Sequence, residues 1–424
     1  MIAAILSCWA LLLGLGLLML GTGLQGTLLG LRASMEAFPT VTTGIVMSGY
    51  FAGFVVGSLL VPRMVRNVGH VRVFAALASL ASVMVLLHSV FLLPFAWLAL
   101  RVITGVCMAG LYLVTESWLN DIATNKTRGQ LLSVYMVVMM AGMGFGQLLL
   151  NVADPRGFEL FVLISVLISC ALVPMLLDAG RAPEFSTPTP ITALALYRAS
   201  PLGIVGSFST GIAQGSVFGM GAVFGNLIGL NVAEISFFMT AFTFGAVAFQ
   251  WPIGWLSDLV DRRKVIVAAT AISALLALIA FNSVQHSTHA LIITMGLYGG
   301  ISVPLYSLFI AHTNDHLEPR QRVSASAGLV MVNGLGAAIG PILCALGISA
   351  FGPEFFMLLL FFNHAAVTTF GLWRMTRSES VPLDEQPNYA PMAARGSPFA
   401  AGIASRTVRE DSGDDGDPGN WTKL

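Results

Sequence analysis

Charge is what this sequence has least of. Of its 424 residues, 21 are Lys or Arg and 21 are Asp or Glu, 10% in all, against a hydrophobic share of 56%. Soluble domains carry about 25% charged residues. A chain this long could bury a large core, but it could not cover that core with so few charges. An ordinary soluble enzyme and a nucleic-acid binder with a basic face are excluded on that ground. Cysteine is scarce as well. Cys8, Cys107, Cys170 and Cys344 each lie in an apolar run, without a neighbour at metal-ligand spacing. That excludes a disulfide-rich secreted domain and predicts buried thiols acting as small hydrophobes. The sequence also lacks a phosphate-cradling glycine loop with lysine, a metal-ligand cluster and a catalytic constellation. No cofactor, metal or enzymatic activity is therefore expected.

Long hydrophobic runs are what the chain has instead. A helix needs about 20 mainly apolar residues to cross a bilayer. Such runs fall at about 5–30, 41–62, 73–93, 95–118, 131–152 and 158–177, and again at about 202–227, 233–256, 265–284, 289–312, 323–347 and 354–373. Helices suit runs of this length because their backbone bonds close within the segment. The first run is too long for a signal peptide and has no basic segment before it. The expected fold class is an all-α membrane protein, with twelve transmembrane helices in two pseudo-symmetric six-helix bundles, residues 1–178 and 201–376. Residues 179–200 between them hold Pro183, Pro188 and Pro190 and read as a linker, with a short surface helix near Ala193 to Tyr197. Residues 377–424 change composition, with Pro382, Pro387, Pro391 and an acidic run from Glu410 to Asp417. They are expected to form a disordered tail.

Basic residues set the orientation. With both termini on the cytosolic side, the loops and helix ends there hold Arg63, Arg66, Arg72, Lys126, Arg128, Arg181, Arg198, Arg262, Arg263, Lys264, Arg320, Arg322, Arg374 and Arg377. The opposite side holds Arg32 and Arg156. This predicts a multi-pass protein of the cell inner membrane with both termini cytosolic.

The two sets of runs look like copies. Leu111, Tyr112, Asn120, Asp121, Lys126 and Arg128 align with Leu305, Tyr306, Asn314, Asp315, Arg320 and Arg322 at an offset of 194, and Gly142 and Gly146 continue onto Gly336 and Gly340. Gln25-Gly26-Thr27 in the first run matches Gln214-Gly215-Ser216 in the seventh. Two copies around a central cavity are a common transporter plan.

Gly254, Asp258, Asp261, Arg262, Arg263 and Lys264 follow the eighth run. This stretch resembles the cytosolic loop signature of the major facilitator superfamily: glycine, then aspartate, then a basic cluster. The first half matches it loosely, with Gly57, Arg63, Arg66, Gly69 and Arg72, and carries Val61 where the signature has aspartate. Arg101 through Gly105 resembles the superfamily's arginine-to-glycine motif in the fourth helix. The resemblance covers about residues 5–375, and it is greatest to the bacterial YcaD-like branch. It implies a gating role for Gly254, Asp258, Asp261, Arg262 and Arg263, with Arg63 and Arg66 in the weaker copy. Gln147 stands where the antiporter signature has proline, while Gly340-Pro341 keeps that pair in the second half.

Polar residues inside the runs are the candidate site. Arg101 reads either as a substrate or coupling residue, or as a structural one that bonds backbone or snorkels to the interface. Glu116 reads either as a proton carrier or as a clamp paired with Arg63 or Arg66. Its repeat equivalent is Ile310, so it belongs to one half alone, whereas Asp121 and Asp315 occur in both and read as architectural. Gln25 and Gln214 are expected to face each other across the cavity, with Gly26 and Gly215 allowing close helix approach. Gln147, Gln250 and Asn333 are further candidates, as is His312, which reads as a coupling site or as a satisfied histidine at the cytosolic rim.

The function expected is secondary active transport of a small organic solute, anionic or amphiphilic, by alternating access with protons as coupling ion. The protein would work as a monomer in the lipid bilayer and bind no nucleic acid. The alternative is a membrane sensor or assembly partner that keeps the scaffold without turnover.

Overall fold

The computed structural model describes residues 8–124, 127–177, 192–377, 381–382, 386 and 389. Among these residues the secondary structure is helical and no strand occurs. The first helices are α1 (Trp9–Met35), α2 (Thr40–Val68), α3 (His70–Val90), α4 (Pro94–Ile122), α5 (Arg128–Leu148) and α6 (Glu159–Leu177). A short helix, α7 (Ala193–Ala199), lies at the expected place in the linker. There follow α8 (Pro201–Leu227), α9 (Val232–Leu259), α10 (Arg262–Ser283), α11 (Thr288–Ser302), α12 (Leu305–Asn314), α13 (Pro319–Phe351) and α14 (Phe355–Met375).

Eleven helical stretches among the described residues are long and apolar enough to cross a membrane, with α11 and α12 forming one of them. The helix α8 is outside that set, although its 27 residues span about 40 Å at 1.5 Å per residue. Seven glycines dilute its hydropathy. Large apolar side chains lie on the outer surface: Phe95 is 88% exposed, Phe351 76% and Trp251 75%. Lipid rather than water suits such a surface. Cys170 is exposed on that surface while Cys8, Cys107 and Cys344 are buried, so the expectation of four buried thiols fails at one position.

The tenth run was expected to be one helix, but it breaks between Ser302 and Leu305. Pro304 lacks an N–H, and its ring would clash with the carbonyl one turn back. The equivalent position in the first half is Gly110, and α4 runs through it unbroken.

Glycines set the packing between helices, and they correct the expected repeat register. A Cβ at Gly23 of α1 would stand 2.1 Å from the Met143 carbonyl oxygen of α5. A Cβ at Gly215 of α8 would stand 2.2 Å from the Ala337 oxygen of α13. Gly146 meets the Leu20 oxygen as Gly340 meets the Ile212 oxygen. On α1 and α8 the equivalent positions therefore differ by 192, not by the 189 that pairs Gln25 with Gln214. The two glutamines are offset by about one helical turn. Gly26, expected to permit close approach, has nothing within 4 Å of where a Cβ would be.

Candidate functional site

The helix ends that carry Arg63, Arg66, Arg262, Arg263 and Arg374 define a basic end of the bundle. At the opposite, far end the helices before and after the linker are drawn together. The Ser236 hydroxyl of α9 donates to the Gln147 carbonyl of α5 at 2.9 Å, and the Asn151 amide donates to Ser236 at 3.0 Å. The Thr243 hydroxyl donates to the Gln147 side-chain oxygen at 3.2 Å. Small residues close the other seams. A Cβ at Gly30 of α1 would lie 3.3 Å from Ala222 of α8, and one at Gly44 of α2 would lie 2.4 Å from Ala345 of α13.

Two crevices lie on the basic-end side of these contacts. One opens between α2, α8 and α13. Tyr50, Phe51, Phe54 and Phe218 give it aromatic walls, while Ser58, Gln214 and Asn333 give it polar groups. The Asn333 amide donates to the Ser207 carbonyl at 3.1 Å and to the Thr210 hydroxyl at 3.2 Å, which fixes it against α8. Gln214 is 6% exposed, and its Nε2 has no hydrogen-bond partner among the described residues. A buried donor left without a partner costs about 1–3 kcal/mol. A ligand acceptor brought against this atom would remove that cost. The second crevice separates Met136, Val137 and Met140 of α5 from Ala246, Val247 and Gln250 of α9, with Val303 at the helix break.

Residues 11–233 and 203–409 match the Major Facilitator Superfamily. The chain belongs to that superfamily. Within it the chain falls in the YcaD-like branch. It is 30% identical over 377 residues to the MFS-type transporter YcaD of Escherichia coli O139:H28, covering 87% of this chain and 94% of that protein. It is 29% identical over 372 residues to YcaD of Escherichia fergusonii, with the same coverage. Among solved structures, the nucleoside transporter NupG matches with a TM-score of 0.72 at 14% identity, over 88% of this chain and 100% of that one. A bacterial homologue of the human lysosomal transporter Spinster, in an inward-facing and unoccupied conformation, matches with a TM-score of 0.66 at 15% identity, over 96% and 98%. At those identities the two structures speak for the fold. The protein is a multi-pass membrane transporter of a small solute and not an enzyme.

Against this superfamily frame the predicted residues separate into groups. Gln214 and Asn333 come together in the first crevice with Tyr50. Gln25 is buried on α1 outside that lining, and its Nε2 also lacks a partner among the described residues. Gln147 sits in the far-end seam and Gln250 lines the second crevice. Arg101 places its guanidinium carbon 4.7 Å from the Tyr50 ring centroid, so it stands behind the aromatic wall. Glu116 is 1% exposed and accepts the Tyr135 hydroxyl of α5 at 2.6 Å, while Arg63 and Arg66 are exposed. His312 is buried at a pocket in the basic end, shared with Arg198, Arg263, His316 and Arg374.

The gating signature is folded around Arg262, the first residue of α10. Its guanidinium contacts Asp258 at 3.2 Å and pairs with Asp315 at the end of α12. Asp315, expected to be architectural, is held by this ion pair, and Glu318 is the residue before α13. Asp261 caps α10 by accepting the Arg263 backbone N–H at 3.0 Å, and it pairs with the Arg263 guanidinium at 3.1 Å. Burial would raise the Asp261 carboxyl, but the hydrogen bonds and charge of Arg263 hold it below its ordinary value.

The first half builds the same corner without the aspartate. Val61 is fully buried, and His70 opens α3 as Arg262 opens α10. His70 Nε2 lies 3.0 Å from the Ser117 hydroxyl and is within electrostatic reach of Asp121, the repeat partner of Asp315. Sequence reading missed His70. Its place directly after Gly69, at the head of a helix, was the available signal.

Proposed function

We propose that this protein is a twelve-helix secondary transporter in which residues 1–178 and 201–376 form two six-helix bundles that rock about the crevice between α2, α8 and α13. The linker 179–200, the tail 377–424 and both termini lie on the cytosolic side of the cell inner membrane, as the basic loops favour. The length of α8 supports the twelfth crossing. The far end is then the outer side, and its closed seams make this an inward-facing or occluded form. The transporter works as a monomer, because each chain carries both halves.

The observation that carries the reading is the partnerless Gln214 amide donor in an aromatic-walled crevice. Among the described residues that lining contains no charged side chain. It therefore suits an amphiphilic solute with a hydrogen-bond acceptor more than a bare anion, and Arg101 serves to set the position and electronics of Tyr50. Protons are the coupling ion in this reading, carried by Glu116 with Tyr135 as its gatekeeper. The test is a thermal-shift screen of the purified protein across amino acids, sugars, organic acids and lipophilic amines at two pH values. Amphiphiles should stabilise the wild type and lose that effect in Gln214→Ala, while Gln147→Ala keeps it. Stabilisation that survives Gln214→Ala places the site elsewhere.

A further inference from the structure

Tyr389 lies 14 residues beyond the end of α14. Most of the tail around it is outside the described residues, so the expectation of a disordered tail can be judged only at a few positions. At Tyr389 the chain is docked. Its backbone N–H donates to Asp258 Oδ1 at 2.9 Å, the same oxygen that Arg262 contacts. Its hydroxyl accepts the Gln250 amide at 2.7 Å and also hydrogen-bonds Ser307. Its ring lies on Gly254, where a Cβ would come within 2.3 Å of the ring carbons. A linker of 14 residues reaches about 45 Å when extended, ample for this return.

The position of the contacts gives them a consequence. Val247, Gln250, Gly254 and Asp258 recur at three- and four-residue spacing, so they share one face of α9. Val247 and Gln250 on that face line the crevice against Met136 and Met140 of α5. Tyr389 lies further along the same α9 face toward the basic end, packed with the second-half cluster of Ile253, Leu308 and Phe309 beside the helix break at Pro304. For the basic end to close, α5 would have to approach α9 along this seam. Gly254, whose missing side chain would allow that approach, is covered by the Tyr389 ring.

We propose that Tyr389, docked on α9, is an intramolecular plug that blocks the approach of α5 to α9 at the basic end and so holds the transporter closed at its far end. Because it binds the state with the seam open, it shifts the population toward that state. Its consequence for gating rests on the alternating-access reading above; its docking on α9 does not.

Docking is tested by thermal melting of the full-length protein as Tyr389→Ala, Gly254→Ala and the double variant. Each single change should lower the melting temperature, and the double should lose no more than the larger single effect. Additive losses overturn the contact. Gln250→Ala in the same cycle serves if Gly254→Ala does not fold. Gating is tested in a Cys170→Ser background carrying Met47→Cys, a buried position beside Gly219 at the far end. A membrane-impermeant maleimide applied from the far side should label it several-fold faster in Tyr389→Ala than in the parent, with Tyr389→Phe between them. The pair Gln147→Ala, Ser236→Ala is the control, since it removes far-end hydrogen bonds directly. If the control accelerates labelling and Tyr389→Ala does not, the plug is overturned. If neither does, the alternating-access reading fails, and the gating part of the proposal falls with it.

Discussion

Arg262 and Asp315 form an ion pair in which each side chain is 1% exposed. The pair ties the head of α10 to the foot of α12, and Asp258 adds the end of α9 through the same guanidinium. Three helix ends of the second half are thus held at one point. Buried pairs of this kind contribute little net stability over an apolar replacement, yet breaking one by removing a single partner leaves a charge uncompensated.

Arg262→Met should therefore cost about 3–5 kcal/mol and lower the melting temperature of the purified protein. It should also tilt the pH dependence. Burial pushes the Asp315 carboxyl above its ordinary value, and the charges of Arg262, His316 and Arg322 oppose the rise. A raised folded pKa gives stability that is present at low pH and lost as pH climbs through that value. Without Arg262 the rise is larger, so the variant should melt higher at pH 5.5 than at pH 7.5, by a wider margin than wild type. Both proteins should carry His316→Gln to keep that histidine's own titration out. A flat profile in Arg262→Met would mean Asp315 stays ionised by other partners.

The glycine register makes a second prediction, free of any transport assay. Gly23→Ala would drive a Cβ into the Met143 backbone at 2.1 Å, where no side chain can move aside. Gly26→Ala would meet open space. The first should abolish or severely reduce folded protein on size-exclusion chromatography; the second should fold normally and gain slightly in helix propensity. Equal behaviour of the two would restore the register that pairs Gly26 with Gly215.

That contrast shows where the sequence was readable. The hydrophobic runs and the offset of 194 between Gly146 and Gly340 are long-range patterns, and the long helices lie where those runs fall, apart from the break within the tenth. The Gln-Gly match was a three-residue string, too short to distinguish the true register from one slipped by about one turn. Gln214 and Asn333 were readable as polar groups in apolar helices. Their convergence on one crevice was not, since helix rotation decides it. Tyr389 was hidden for another reason. Its surroundings in the sequence are Pro-rich and polar, and the bare face at Gly254 gives its aromatic ring a place to dock.

The far-end seam should behave as a set of weak bonds that hold one conformation. Ser236 bonds the Gln147 backbone and Thr243 bonds its side chain, so Gln147→Ala and Ser236→Ala together remove several of them. Each is worth about 0.5–1.5 kcal/mol. Removing them should shift the population several-fold toward a far-open form while changing the melting temperature little. The measurement is maleimide labelling of Met47→Cys from the far side. A large loss of stability with unchanged labelling would mean the bonds hold the fold and not a state.

Glu116 and Tyr135 provide the last prediction. The carboxylate is buried between α4 and α5, with the phenol donating to it at 2.6 Å, and Tyr306 in the other half is within its electrostatic reach. A proton arriving at Glu116 would remove the charge that orders both tyrosines. Glu116→Gln fixes the neutral form and keeps the shape. With a solute from the thermal-shift screen, this variant in proteoliposomes should lose accumulation driven by a pH gradient by tenfold or more, yet exchange labelled for unlabelled solute at near the wild-type rate. Tyr135→Phe keeps the carboxylate but removes the hydrogen bond that favours its charged form. It should change the pH profile of accumulation while leaving exchange near the wild-type rate. Loss of exchange and accumulation together in Glu116→Gln, with a lowered melting temperature, would assign the pair to holding α4 against α5.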